Sequence, residues 1–246
     1  MSEALEKFPI LGIPVHLSDD YSSWLVSRLN ERMGTHVVTL NSEMAIEAER
    51  NQALGKIVEQ AELVIPDGSG IVLYLWLHGR RQKRCPGIEL AESMLQQAGQ
   101  LGESCPVFFY GGAPGVANKA AEVWQSRAPG IALAATQHGY ISPEEQQQMV
   151  NTLKDLQPRV ILVGLGVPRQ EFWIAENRHI CPQSVWIGVG GSLDIWAGVK
   201  TRAPKWLREN NLEWLYRFYK EPSRWRRMLA LPLFALRALL HRLTGR

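Results

Sequence analysis

The chain has 246 residues, 46% of them apolar and 21% charged, the balance of a globular protein with one sizeable core, or a core and an appendage. Three cysteines, Cys85, Cys105 and Cys181, are odd in number and match no ligand spacing, which speaks against disulfides and zinc and for a reducing cytosol. The first residues carry acids where a secretory signal needs cations, and no stretch reaches the roughly 20 apolar residues that span a bilayer. The net charge of +3 is unevenly spread: residues 200–246 hold 12 Lys/Arg and three acids, a balance of +9, leaving −6 on residues 1–199. Blocks this basic usually meet phosphate, on nucleic acid or at an anionic membrane.

In chain order, short apolar runs at 36–40, 63–65, 107–110, 131–135, 160–163 and 185–189 read as strands. Amphipathic stretches at 21–33, 43–61, 89–101, 116–127, 143–156 and 170–177 read as helices. Their alternation predicts an α/β fold, a Rossmann-like parallel-rich sheet flanked by helices. After Gly198 the strands stop and the chain turns helical, Trp-rich and basic. The expected boundary therefore separates an α/β domain at 1–199 from a basic amphipathic helical appendage at 200–246.

Candidate chemistry follows directly after the strands. Asn41-Ser42-Glu43 follows the first. Pro66 ends the second because it has no N–H to donate, which lands Asp67 at the carboxyl edge of the sheet, ahead of Gly68 and Gly70. Ligands of open α/β sheets bind outside the carboxyl ends of the strands, so Asp67 is a candidate general base. The competing role is N-cap of a helix starting near Ser69. Further along come Gly111-Gly112, then Gly164-Leu165-Gly166-Val167-Pro168-Arg169-Gln170-Glu171, then Gly190-Gly191-Ser192-Leu193-Asp194. Parallel strands would align all of these along one cleft.

Each group also has a plainer role. The Gly111–Gly115 turn either cradles a phosphate or simply turns. Taken alone, Asn41 reads as a helix cap, and Gln170 and Glu171 as surface residues of a first helical turn. Arg80, Arg81, Lys83 and Arg84 form a basic loop, solvated by default, in which Arg84 offers a fork to phosphate. The six histidines have no evident partners and read as structural. A Walker loop, a Gly-x-Ser-x-Gly elbow, a metal-spaced His pair and an Asp-x-Asp pair are all missing from the sequence. Gly164-x-Gly166 has Arg169 at the third glycine position, which counts against a dinucleotide oxidoreductase.

Taken together, the chain resembles the WecG/TagA/CpsF family of bacterial glycosyltransferases, glycosyltransferase family 26. The resemblance rests on Thr39-Leu40-Asn41, Pro66-Asp67-Gly68, Arg84-x-Pro86-Gly87, Gly111-Gly112 and His138-Gly139-Tyr140. It continues through Gly164-x-Gly166-x-Pro168-x-Gln170-Glu171, Gly188-Val189-Gly190-Gly191-x-x-Asp194, Arg202-Ala203-Pro204 and the segment from Leu212 to Arg224. One departure is Glu89, where the family usually has Asp.

The resemblance implies an inverting transferase that needs no metal or other cofactor. Its donor would be a UDP-sugar carrying an N-acetylhexosamine, with N-acetylmannosamine the first choice. Its acceptor would be an undecaprenyl-diphosphate-linked saccharide bearing GlcNAc, on the way to surface polysaccharide or teichoic acid. Asp67 falls on the family's catalytic base, and Thr39, Asn41 and Gln170 on its pocket-lining positions. Arg84 and the tail arginines, Arg217 and Arg224 first, fall where the family handles diphosphate. A base taking the acceptor's proton and donors meeting the charge on departing UDP suffice for such a displacement. Gly111, Gly112, Gly190 and Gly191 would present backbone N–H groups. Tyr140 would face the uracil and Asp194 accept its ring N–H, both equally credible as structural groups.

The tail is expected to dock on the inner face of the cell membrane as a peripheral anchor. In residues 223–246 the apolar series Trp225, Met228, Leu229, Leu231, Leu233, Phe234, Leu236, Leu239 and Leu240 is flanked by arginines, the composition of an interfacial helix. Pro232 should kink that helix or break it. The alternatives are a helix packed on its own core, a nucleic-acid-binding tail, and a nucleotide-binding module without chemistry. Self-association under a displaced tail is also open.

Overall fold

The computed structural model describes residues 4–210, 212–220 and 229–244, with backbone alone for Arg217, Leu243 and Thr244. An antiparallel hairpin, β1 (Glu6–Ile10) and β2 (Ile13–Leu17), precedes a six-stranded, wholly parallel sheet. The strands of that sheet are β3 (Thr35–Leu40), β4 (Leu63–Pro66), β5 (Val107–Gly111), β6 (Leu133–Gln137), β7 (Val160–Gly164) and β8 (Val185–Gly188), in the order β4-β3-β8-β7-β5-β6. Every side chain of β3 and β4 is buried, as a strand covered on both faces requires.

Alternate residues feed two faces. Val37, Leu63, Phe109, Leu162 and Ile187 pack against α1 (Tyr21–Asn30), α5 (Gly87–Leu101) and α6 (Val116–Arg127). On the opposite face Val38, Leu40 and Val64 meet α2 (Ser42–Arg50), α3 (Gln52–Glu59) and α4 (Ser69–Leu77), and Phe108, Ile161 and Trp186 meet α7 (Pro143–Leu156) and α8 (Arg169–Asn177). Three layers result, with helices on both sides of the sheet as the sequence implied.

The hairpin, unforeseen, guards the β4 edge. His16 Nδ1 accepts the Val64 N–H at 2.9 Å, satisfying a backbone donor that an edge strand leaves open. Burial, then the nearby charge of Lys7, pushes the His16 pKa down to about 4, so the ring is a neutral acceptor. The stretch expected as one helix at 43–61 is two, because Asn51 caps α3 by accepting the Leu54 N–H at 3.3 Å. The strand expected at 131–135 begins two residues later, at Leu133.

Beyond α9 (Ser192–Trp196) the described chain holds α10 (Lys205–Glu209), α11 (Glu213–Lys220) and α12 (Ala230–Thr244). The helix begins at Ala230, so Pro232 falls in its first turn, where its missing N–H has no intrahelical acceptor to lose; residues 221–228, across which a kink or break was expected, lie outside the described residues. Helix α12 does not present a single apolar side outward. Phe234 and Ala238 are buried against Met44, Ile71 and Tyr74, while Leu236, Leu239 and Leu240 are exposed. The Tyr74 hydroxyl and His241 Nδ1, 2.9 Å apart, tie α12 to α4. Trp225, Met228 and four of the flanking arginines, Arg224, Arg226, Arg227 and Arg246, lie outside the described residues.

Candidate functional site

A pocket of about 330 Å³ opens at the carboxyl ends of β4, β3 and β8, where ligands of open α/β sheets are held. Thr39, Asn41, Asp67, Gln170, Gly190 and Gly191 all line it. Asp67 follows the last residue of β4, and its N–H donates to the Leu40 carbonyl at 2.9 Å, fixing the turn between two strand ends. It does not cap α4: the N-cap is Gly68, and no side chain donates or accepts there. The capping role is thus removed from Asp67.

Asn41 does cap. Its Oδ1 accepts the Met44 N–H at 3.0 Å, fixing the residue at the end of β3 while it lines the pocket. Thr39 Oγ1 donates to the Gly188 carbonyl at 3.2 Å, joining β3 to β8 beneath the site.

Gln170 and Glu171 are not surface residues; they are 1% and 0% exposed. The first turn of α8 drives into the sheet, and Glu171 Oε2 lies 2.8 Å from His36 Nε2, itself buried. Gln170 Nε2 donates to Glu171 Oε1 at 2.9 Å, and Gln170 Oε1 accepts the Gly190 N–H at 3.0 Å. A buried chain His36–Glu171–Gln170–Gly190 therefore fixes the loop after β8. It demands glycine at 188, where a Cβ would stand 2.4 Å from Gln170 Nε2 and 2.6 Å from Glu171 Oε1. His36, like His16 and His241, has a partner that sequence reasoning did not find.

The tail closes the other side. Lys200, Arg202, Tyr216 and Lys220 line the pocket; Arg202 and Tyr216 were quoted in the resemblance, but none of the four was named as a site residue from the sequence. Their signal was the +9 block, which did not say which cations turn inward. Arg202 Nη2 donates to Glu89 Oε1 at 2.5 Å, and Arg208 Nη1 reaches the same oxygen at 3.3 Å. Arg202 Nε is buried without a hydrogen-bond partner, a donor that costs free energy until an acceptor meets it. Arg84 does not line the pocket; its Nη2 donates to Glu213 Oε2 at 2.9 Å in a largely buried pair that clamps α11 onto the domain.

Other expected residues stand apart. Gly111 ends β5, two strands beyond β8, and Gly112 follows it; neither lines this pocket. Gly111 has φ 132°, and a Cβ there would come within 2.3 Å of the Gly164 carbonyl, so turn and packing account for the glycine. Tyr140 follows β6 at the far edge of the sheet and is 73% exposed. Asp194 sits at the rim, 3.6 Å from Lys200 Nζ. Arg217 is on α11 with only its backbone described, and Arg224 lies outside the described residues.

Burial first, then the negative charges of Asp67 and Glu89, pushes the Cys85 thiol up to about 12, which removes it as a nucleophile at neutral pH. Among the described residues no three His, Cys, Asp or Glu side chains gather to hold a metal.

Residues 8–246 match the Glycosyl transferase WecG/TagA/CpsF family. The chain belongs to that family. It is similar to an N-acetylglucosaminyldiphosphoundecaprenol N-acetyl-beta-D-mannosaminyltransferase of Bacillus spizizenii strain W23, 36% identical over 214 residues, 87% of this chain and 82% of the relative. Enzymes of the same name from Bacillus subtilis strain 168 and Staphylococcus aureus strain MW2 are 32% and 36% identical, over 86% and 80% of this chain and 81% and 77% of theirs. The protein is a glycosyltransferase, and Thr39, Asn41, Asp67 and Gln170, all quoted in the resemblance, line one pocket at the sheet edge.

Proposed function

We propose that this WecG/TagA/CpsF glycosyltransferase moves N-acetylmannosamine from UDP to GlcNAc on undecaprenyl diphosphate, inverting the anomeric centre, with Asp67 as the base. The reading is carried by one observation: a carboxylate and several cations line the same pocket, Asp67 with Lys200, Arg202 and Lys220. The named activity of relatives aligned over most of their length supports the substrate pair.

The acceptor hydroxyl gives its proton to the Asp67 carboxylate as its oxygen attacks the anomeric carbon, and the bond to the UDP oxygen breaks on the opposite face. Negative charge grows on the departing diphosphate. Lys200, Lys220 and the Arg202 side chain line the pocket where that charge develops, an electrostatic role that fixed donors fill without reorganising. Gln170 is a positioning residue. Each end of its amide makes a bond inside the protein, to Glu171 and to the Gly190 N–H, so its part is to hold Gly190 in place. Arg84 likewise acts through Glu213, seating the helix that supplies Tyr216 and Lys220.

A lipid-linked acceptor brings the reaction to a membrane face. No helix among the described residues is long and apolar enough to cross a membrane, and exposed Leu236 and Leu240 on α12 suit peripheral contact at the inner face. Residues 200–246 then serve as an appendage that both completes the pocket and leans on lipid. The test is UDP release measured across several UDP-sugars with a short-chain GlcNAc-diphosphate-lipid. Turnover with UDP-N-acetylmannosamine at least tenfold above the other donors supports the reading. Tight UDP binding with no turnover would leave a nucleotide-binding module instead.

A further inference from the structure

A second, larger groove, about 1330 Å³, runs along α4, α11 and α12. Helix α11 separates it from the pocket by turning one face to each. Glu213, Tyr216 and Lys220, spaced as neighbours on one helical face, line the pocket, while Trp214 and Phe218, four apart, line the groove. Helix α4 makes a second connection: Asp67 lies in the pocket, and Ser69 and Gly70, at the start of the helix, lie in the groove.

The groove is apolar along its length and cationic at one end. Leu73, Trp76 and Leu239 line it and are 49%, 63% and 50% exposed. Large apolar side chains left open in one contiguous surface mark a binding face. Arg80, Arg81 and Lys83 form the charged end, with Asp19 the one acid among the lining residues. Arg80 also pairs with Glu6 at 2.9 Å, whereas Arg81 and Lys83 are exposed. The matching ligand has an anionic head, a long hydrocarbon body, and a further group to send past α11 into the pocket.

We propose that this groove binds the first isoprene units of the acceptor's polyprenyl chain, with Arg81 and Lys83 facing its diphosphate. The proposal rests on the acceptor named above. The catalytic pocket reads the saccharide, the groove reads the chain, and α11 is the wall over which the diphosphate passes. A phospholipid acyl chain would meet the apolar length but has no sugar to place beyond the wall.

The test uses the full chain without detergent or vesicles, and GlcNAc-diphosphate acceptors on chains from one isoprene unit to several. The wild-type KM should fall by at least about tenfold from the shortest chain to the longest, a small part of what burying several methylenes allows. Leu73→Ser and Trp76→Ser, at exposed positions that carry little of the core, should reduce that ratio to about threefold or less. Leu156→Ser, at a comparably exposed site on α7, should keep the wild-type ratio. A wild-type KM indifferent to chain length overturns the proposal. So does a Trp76→Ser variant that keeps the chain-length ratio and, in a separate sedimentation assay with anionic liposomes, loses liposome binding, which would assign the groove to bulk lipid. If no acceptor turns over, the activity reading fails, and calorimetry with a short polyprenyl diphosphate still decides the groove. Binding weakened about tenfold in Leu73→Ser supports it, and no binding by wild type refutes it.

Discussion

Removing the Glu171 carboxylate should unfold the chain more readily than any surface substitution, and in a way the buried network specifies. Glu171 is fully buried, and its two oxygens separately meet His36 Nε2 at 2.8 Å and Gln170 Nε2 at 2.9 Å. Glu171→Ala leaves both groups buried without that acceptor and opens a void. Leaving two buried polar groups without their acceptor costs about 1–3 kcal/mol each, a large share of the roughly 5–15 kcal/mol that holds a domain folded. Glu171→Gln keeps one oxygen and adds a donor, and His36 can present an unprotonated Nε2 to it, so the loss should shrink to about 1 kcal/mol. The double variant His36→Leu/Glu171→Leu should lose less than the sum of the singles, with a coupling of about 2 kcal/mol. Urea unfolding of wild type, the two Glu171 variants, the double variant and its two single leucine variants measures all of these. A Glu171→Ala variant within about 1 kcal/mol of wild type would refute the claim that this network is dry and holds the Gly190 loop.

Acid should weaken the hairpin. His16 binds its proton only near pH 4 when folded but near 6.5 when unfolded, so stability is full above about pH 6.5 and falls by about 3 kcal/mol as pH drops to 4. Urea midpoints across that range should decline less steeply in His16→Gln. Phe234→Ala should cost about 3–5 kcal/mol and expose α12 to limited proteolysis, since Phe234 is the buried aromatic by which that helix grips the core. Activity should survive EDTA, while Arg202→Ala should weaken UDP binding about tenfold or more, as loss of a charge-assisted hydrogen bond does. Activity abolished by chelation and restored by Mn²⁺ or Mg²⁺ would contradict this.

Four of the parallel strands, β4, β5, β7 and β8, were legible as short apolar runs closed by a glycine or proline, and burial on both faces needs nothing subtler. The hairpin was not, since Glu6–Ile10 and Ile13–Leu17 each carry a proline, and Pro9 and Pro14 stand opposite one another. Its one cue was the Leu11-Gly12 turn, where both residues take positive φ, 49° and 85°, the geometry of a two-residue hairpin loop. The β6 boundary slipped because this edge strand is only half-buried and its register with β5 shifts at Val107. Asp67 was legible from Pro66 and the strand before it. Lys220 was not, because local sequence does not say which face of α11 turns inward. The same holds for Gln170 and Glu171, whose polarity suggested a surface until His36 supplied a buried partner 135 residues away.

The central claim is that Asp67 takes the acceptor's proton. Single-turnover UDP release by Asp67→Asn, read beside UDP affinity and melting temperature, tests it most directly. The account predicts a rate lower by about 10²–10⁴-fold, the usual worth of a general base, with UDP binding and Tm close to wild type. An Asp67→Asn enzyme that melts early yet turns over normally per folded molecule would contradict it and leave Asp67 a structural residue of the β4–α4 turn.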